Sequence, residues 1–541
     1  MSIESLLTRF TTDRFATRLW AHDAKAFEVA RADAAVRQAI DNRMGWLDAP
    51  AGMTAHLPAL GTLAQGAAKD GLTDIYLLGM GGSSLCAEVL RDVAATRNSG
   101  ARLVVLDTTD ERTVRTVTDG MHPDRALFLV ASKSGGTIEV TSLERHFWAT
   151  IDNAALNHPV GRHFVAITDP DTSLAALAAS RGYRQTFINP ADIGGRYSAL
   201  SLFGLVPAAL MGLDVAALLA SGRAMADACS TDATINPGLA LGAFMAAHAA
   251  AGRDKLTLLV PPALAPLGVW IEQLVAESTG KLGKGVLPVV GEPIGAVGDY
   301  GSDRAFVAIT TPGDSTVEPL ARRLEAAGHP VFWIETQPSA VGAEFFRWEF
   351  ATAVAGAGLG VNPFDEPNVR DAKARTQAQL DGRRLTGHFT LDPPLVAGDG
   401  CTWRIHRSAS RAPVPGRYVA ILDYLPVDPA RAPVIATLRT KFRQHMGAAT
   451  THGIGPRYLH STGQYHKGGP NTGSFVLLTS GDETATPVPG TDFTFSTLKH
   501  AQALGDFEAL AAAGRDVLHV HLEDPSAEGL AALESVLIGL R

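Results

Sequence analysis

Cysteine is scarce: Cys86, Cys229 and Cys401 are the only three in 541 residues. They are scattered and no C-x-x-C spacing occurs, which excludes a disulfide framework and a zinc ribbon. Positive charge is not in excess either. Lys and Arg total 47 against 55 Asp and Glu, a formal net charge of −8. A nucleic-acid binder would show a basic stripe, so no nucleic-acid partner is expected and any anion site must be a local arrangement. Long apolar runs are missing as well. The most apolar windows, 202–219 and 239–251, are interrupted by Asp214 and His248, so no membrane span or membrane partner is expected. The start, Met1-Ser2-Ile3-Glu4, lacks the basic region and apolar run of a secretory signal. A cytoplasmic location is the expectation. No His, Cys, Asp and Glu cluster has metal-ligand spacing, so neither a metal nor another cofactor is expected.

What is present is a chain long enough for two to four domains. Residues 1–70 carry helical aliphatic periodicity, as in Ala35, Val36, Ile40 and Trp46, and no chemistry. From Asp74 short apolar runs alternate with helical patterns: 75–78, 103–106, 127–130 and 164–167, with a fifth strand before residue 193. Buried runs alternating with helices predict an α/β unit with a parallel sheet, whose ligands bind at the carboxyl ends of the strands. A second set, 256–260, 286–290, 306–309 and 331–334, predicts another such unit. Pro393, Pro394, Pro413 and Pro415 mark a boundary. Beyond it, the runs 418–422, 474–478 and 517–520 predict a third, smaller α/β unit. The expected division is 1–70, 71–235, 236–385 and 386–541.

Four stretches carry chemistry. In 271–281, Gln273 and Glu277 are four residues apart on a predicted helix that Gly280 stops, so both project from one face. On its own this could be an ordinary solvated helix face. Three glycine-rich loops argue otherwise. The first strand runs into Gly79-Met80-Gly81-Gly82-Ser83-Ser84, where glycines admit an anion close to the backbone and Ser83 adds a hydroxyl. Ser84 stands at the third glycine position of the dinucleotide fingerprint, which excludes that motif. The third strand runs into Ser132-Lys133-Ser134-Gly135-Gly136-Thr137. Three hydroxyls, a lysine and two glycines at a strand-to-helix turn form an oxyanion cradle without P-loop spacing. Neighbouring strands could aim these two loops at one phosphate. In Gly194-Gly195-Arg196-Tyr197-Ser198, the glycines leave an arginine unobstructed.

Together these motifs resemble the glucose-6-phosphate isomerase family. Gly291-Glu292-Pro293 and the segment 362–369, Asn-Pro-Phe-Asp-Glu-Pro-Asn-Val, leading to Lys373, complete the set in family order. The chain looks most like the isomerase half of bifunctional transaldolase/glucose-6-phosphate isomerase proteins, and nothing in front of the helical segment is expected to supply the transaldolase half. The resemblance implies two sugar-isomerase (SIS) domains, a sugar-phosphate substrate, no metal and a homodimer. It implies that Ser83, Ser132, Ser134 and Thr137, with Gly82, Gly195 and nearby Lys133, hold the phosphate. It further implies Glu277 as the base moving a proton between C2 and C1, Arg196 as the group stabilising a cis-enediolate, Gln273 as a hydroxyl ligand and Lys373 as an assistant at the ring oxygen or O1. A carboxylate that removes a carbon-bound proton needs a nearby cation for the developing oxyanion, so the set is chemically coherent.

Two departures stand out. Glu366 occupies a position where the family usually has glutamine. No histidine follows Gly-Glu-Pro, where the ring-opening histidine normally lies. A matching segment, Tyr458-Leu459-His460-Ser461-Thr462-Gly463-Gln464, appears instead after Lys373. His460 is the candidate, Asp303 and Arg304 are alternatives, and His466 and Lys467 are close enough to confuse the assignment. In the family the histidine comes from the neighbouring subunit, and a shared site is the favoured expectation. A non-catalytic SIS sugar-phosphate sensor is the competing reading, although it would not need Glu277, Lys373 or Arg196. A glucosamine-6-phosphate synthase would need a nucleophilic cysteine at the mature N-terminus, where Ser2 stands.

Overall fold

The computed structural model describes residues 2–94, 101–389, 394–398, 402–408, 417–481 and 485–540. Cys401, Pro393, Pro413 and Pro415 lie outside the described residues. Three sheets organise the chain. The first contains β1 (Asp74–Gly79), β2 (Arg102–Leu106), β3 (Ala126–Ala131), β4 (Phe164–Thr168) and β5 (Gln185–Ile188) in the order β2-β1-β3-β4-β5, all parallel. Every residue of β1, β3 and β4 is buried, as expected of strands covered by helices on both faces. Phe128 of β3 stacks on Tyr76, Phe147 and Phe164 at centroid distances of 5.2, 4.9 and 5.0 Å. Truncating such a residue to alanine costs about 3–5 kcal/mol.

The strand order places a topological switch between β1 and β3. Chain connections depart to opposite sides there and leave a crevice at the carboxyl ends. The Gly-Met-Gly-Gly-Ser and Ser-Lys-Ser-Gly-Gly-Thr loops follow these two strands, so the topology sets them side by side.

The second sheet has β6 (Lys255–Leu259), β7 (Leu287–Val289), β8 (Arg304–Thr310) and β9 (Val331–Glu335) in the order β7-β6-β8-β9, again all parallel. One continuous core joins both sheets and the N-terminal helices, running from Leu6, Phe10 and Phe27 through Leu77 and Trp270 to Phe364. The N-terminal segment is thus part of the main core. Its Phe27 packs edge-on against Phe364 at 5.6 Å, and Phe364 packs on Tyr197 at 5.1 Å, which buttresses the Gly-Gly-Arg-Tyr loop from behind.

The third sheet differs from expectation. It has six strands, more than either of the others: β10 (Val396–Ala397), β11 (Trp403–Arg407), β12 (Tyr418–Asp423), β13 (Ala449–Ile454), β14 (Gly473–Ser480) and β15 (Asp516–Leu522), ordered β10-β11-β15-β14-β12-β13. β10–β11 and β11–β15 pair antiparallel. β13 escapes the sequence reading because Ala-Thr-Thr-His-Gly-Ile is barely apolar, and it forms an edge. The helix Val369–Thr386, which carries Lys373, packs along the helix Phe495–Ala512. The helix of Lys373 therefore packs with the C-terminal unit, although its sequence neighbours belong to the second. Among the described residues, no helix is long and apolar enough to cross a membrane.

Candidate active site

Gln273 and Glu277 lie on the helix Ala265–Thr279, which ends at Gly280. The solvated-face reading fails, because Gln273 is 3% and Glu277 7% exposed. Gly280 is required by close packing: a Cβ there would fall 2.4 Å from Tyr465 Cα. The Gln273 amide donates to Glu277 Oε2 at 3.3 Å and to the His460 carbonyl at 2.6 Å.

Arg196 faces Glu277, with Nη1 3.3 Å from Oε1. The same Nη1 lies 3.1 Å from Glu366 Oε2. Nε donates to Ser278 Oγ at 3.1 Å, and Nη2 donates to the Pro363 and Asp365 carbonyls at 3.2 and 3.1 Å. The guanidinium is thus held by the Asn-Pro-Phe-Asp-Glu segment. Burial would lower its pKa, but the Glu277 and Glu366 carboxylates outweigh that and keep it firmly charged. Burial pushes the Glu277 carboxyl above its ordinary range, Arg196 pulls it back, and Glu366 adds to the rise. Glu366, where the family has glutamine, is therefore a second carboxylate competing for the same cation. The Glu366 side chain is half exposed, so desolvation works against its charge only in part, and Arg196 holds its pKa below the usual value.

The glycine loops interlock around this pair. A Cβ on Gly82 would lie 1.9 Å from the Gly195 carbonyl, and one on Gly81, whose φ is +55°, 2.7 Å from the His460 carbonyl. Only glycine permits these approaches. Ser83 is buried. In the next loop Ser132 Oγ and Thr137 Oγ1 are 3.1 Å apart, and Gly135 takes φ +72°. Ser132 is buried, Thr137 half-buried and Ser134 exposed, which leaves hydroxyls at the crevice mouth. Lys133 turns aside: its ammonium pairs with Asp169 and donates to the Ala191 carbonyl at 3.1 Å. Its charge reaches the crevice only at longer range.

His460 follows β13 on the turn Arg457–His460. Its Nε2 lies 2.9 Å from Glu139 Oε1, on the helix Ile138–Asn153 that opens directly after Thr137. Glu139 also accepts from Gln502 Nε2 at 2.7 Å, and Gln502 accepts from Thr109 at 2.8 Å. Burial pushes Glu139 up, but His460 and then Lys373 bring it below the ordinary range. Glu139, His460 and Lys373, with Gly136, Ile138 and Gln502, line a cavity of about 210 Å³. His460 meets Glu139 and Gln273 of its own chain. The alternatives Asp303 and Arg304 sit elsewhere, whereas Lys467 lines the same cavity. Arg304 opens β8 and donates to Thr257 Oγ1 at 2.8 Å and Glu292 Oε1 at 3.0 Å, while Asp303 lies 3.6 Å from Lys255. His466 is buried against the Tyr418 hydroxyl at 2.9 Å, and Lys467 is committed to Asp506 at 2.6 Å.

Glu139 is not among the sequence candidates. An acid in the first turn of a helix reads as ordinary dipole compensation. The available signal is its position directly behind an anion loop, where a free carboxylate would repel the ligand unless a cation covered it. Gln502 and Thr109 carry no local signal. Among the described residues, no group of three or more His, Cys, Asp and Glu is arranged to hold a metal ion.

Two helix-flanked parallel sheets, with two glycine-rich loops at the first sheet's switch point, define the class as a sugar-isomerase (SIS) fold. Solved structures agree at the level of fold. A hypothetical protein from Thermus thermophilus superposes with a TM-score of 0.61 at 24% identity, covering 70% of this chain and 97% of that one. A glucose-6-phosphate isomerase from Chlamydia trachomatis gives 0.51 at 19% identity, covering 69% and 78%. The phosphoglucose isomerase family model matches residues 60–287. A glucose-6-phosphate isomerase from Rubrobacter xylanophilus is 30% identical over 406 residues, which span 65% of this chain and 92% of that protein. The chain belongs to the glucose-6-phosphate isomerase family.

Proposed function

We propose that this protein is an aldose–ketose isomerase that interconverts glucose 6-phosphate and fructose 6-phosphate, as the names of its relatives indicate. The observation that carries this reading is the buried Glu277 carboxylate held 3.3 Å from the Arg196 guanidinium, beside two anion loops. Ser83, Ser132, Ser134 and Thr137, with the backbone at Gly82 and Gly195, take the phosphate. His460, oriented by Glu139, moves the proton that opens the ring, and Lys373 assists at the ring oxygen or O1. Gln273 orients a hydroxyl. Glu277 takes the proton from C2. The electron pair forms the C1–C2 double bond, and the charge gathers on O1 opposite Arg196. Protonation gives a cis-enediol. Loss of the O2 proton and return of the Glu277 proton to C1 give the ketose. No metal or organic cofactor enters these steps.

A sensor would not need a buried carboxylate and guanidinium facing one another, which costs desolvation energy. That favours the enzyme over the sensor. The finer kinship, to the isomerase half of bifunctional transaldolase/glucose-6-phosphate isomerase proteins, rests on the motif set standing in family order from about residue 75 to 375. The division into 1–70, SIS domains 71–235 and 236–385, and 386–541 belongs to the same reading, as does a cytoplasmic homodimer in which each protomer carries its own His460. The test is a coupled assay of purified protein, with glucose 6-phosphate as substrate and fructose 6-phosphate as the measured product. Conversion is expected; binding without conversion would favour the sensor.

A further inference from the structure

His460 is carried by a unit whose sheet is separate from the two that hold the phosphate loops and Glu277. Something must fix that unit's loop against the crevice to within the tolerance of proton transfer. Glu139 and Gln273 meet His460 itself, but both are parts of the reacting constellation and neither explains how the loop arrives. Three residues earlier, Arg457 is the one long cation on the turn Arg457–His460 that reaches the first sheet. Its guanidinium pairs with Glu88, and its Nε lies 3.0 Å from Asp107 Oδ2. Asp107 directly follows the carboxyl end of β2, beside β1. It is 8% exposed, and burial pushes its carboxyl up while Arg457 opposes the rise. The same Oδ2 accepts from Ser84 Oγ at 3.3 Å. Ser84 closes the Gly-Met-Gly-Gly-Ser-Ser loop, and its single hydroxyl proton is shared between Asp107 and the Gly81 carbonyl, 3.1 Å away. Gly81 is the residue whose missing Cβ makes room for the His460 carbonyl.

One carboxylate therefore joins the first anion loop, through Ser84, to the histidine turn, through Arg457. We propose that Arg457 is a positioning residue, which with Asp107 registers the C-terminal unit on the first glycine loop and so places His460 for ring opening. This rests on the isomerase reading above and on the role given there to His460. The Arg457 guanidinium touches no residue assigned to phosphate or to proton transfer at carbon. Its removal leaves Glu277, Arg196 and the hydroxyl cradle in place. A displacement of about 1 Å is enough to lower turnover by about 10²-fold, and a loop that has lost its anchor can move that far.

A double-mutant cycle in the full-length protein tests this, with steady-state turnover on glucose 6-phosphate and the deuterium isotope effect from substrate labelled at C2. Arg457→Gln should lower turnover by about 10²-fold. On a His460→Ala background it should cost no further activity, because both act on one step. The isotope effect in Arg457→Gln should equal that in His460→Ala. Asp107→Asn should show the same pattern, more weakly, and supplies the second variant if Arg457→Gln does not fold. Arg457→Lys should recover part of the loss. Normal turnover in both Arg457→Gln and Asp107→Asn would overturn the proposal. So would an additive loss on the His460→Ala background, or an isotope effect unlike that of His460→Ala, since either means a general structural role. If His460→Ala itself turns over normally, the ring-opening role of His460 is what fails, and this proposal falls with it. If wild-type protein does not isomerise glucose 6-phosphate, the isomerase reading fails first, a result visible before any variant is made.

Discussion

Arg196 Nη1 stands 3.3 Å from Glu277 Oε1, and this pairing decides what the carboxylate can do. Burial alone raises the Glu277 pKa, and a protonated acid cannot act as a base. The guanidinium counters the burial, and Glu366 partly undoes that. Replacing Glu366 by glutamine removes a negative charge that raises the Glu277 pKa and releases Arg196 from its second partner. The acid limb of the kcat/KM profile should move to lower pH in Glu366→Gln, because Glu277 then loses its proton more readily. A pH–rate series on both proteins reads this directly. A limb that moves upward would assign the titration to a different group.

The hydroxyl cradle should be separable from the chemistry. Ser132→Ala, Ser134→Ala and Thr137→Ala each delete a hydrogen bond to a charged acceptor, worth about 1.5–3 kcal/mol. Calorimetric titration with a phosphorylated sugar-acid inhibitor should show weaker binding for each variant and a severe loss for the triple variant. Unchanged affinity in the triple variant would put the phosphate elsewhere.

Gly82 tests the interlock of the loops. A methyl group there, fixed directly to Cα, meets the backbone carbonyl of Gly195 at 1.9 Å, so neither side can yield by changing a rotamer. Gly82→Ala should lower the melting temperature, with an overpacking cost of about 1–3 kcal/mol. It should also weaken inhibitor binding, since the Gly-Gly-Arg loop must retreat and carries Arg196 with it. Wild-type melting and affinity together would mean that the two loops are not in contact.

The parts of this site that are legible in the sequence are the local ones. Strands buried on both faces read as unbroken apolar runs, which is why β1, β3 and β4 stand out. The loops after them carry glycine and hydroxyl residues in consecutive positions. Gln273 and Glu277 share a face by helical spacing alone. What the sequence does not show depends on distance along the chain. His460 and Glu139 are 321 residues apart, and no local pattern marks them as partners. β13 lacks the apolar run of a central strand because it is an edge strand. The C-terminal unit reads as smaller than it is because β11, Trp-Arg-Ile-His-Arg, pairs antiparallel and alternates instead of running apolar. Lys373 reads with its sequence neighbours, whereas its helix packs on Phe495–Ala512.

Because His460 meets Glu139 and Gln273 of the same chain, complementation between subunits should fail. Glu277→Gln and His460→Ala chains, each impaired, should recover no activity when mixed under conditions where subunit exchange is demonstrated with differently tagged copies. Recovery towards one intact site per mixed dimer would show that the histidine crosses to the partner.

The central claim is that Glu277 is the base of a metal-independent isomerisation, and Glu277→Gln measures it most directly. The substitution keeps the shape of the side chain and removes its ability to take a proton. Wild-type and variant should be assayed side by side on glucose 6-phosphate in the presence of a chelator, with inhibitor affinity measured on the same preparations. The account predicts that wild-type protein keeps its activity in chelator, that the variant loses at least about 10²–10⁴-fold in turnover, and that the two bind a phosphorylated inhibitor comparably. Near-normal turnover in Glu277→Gln, or wild-type activity that disappears with chelator and returns with a divalent ion, would contradict it.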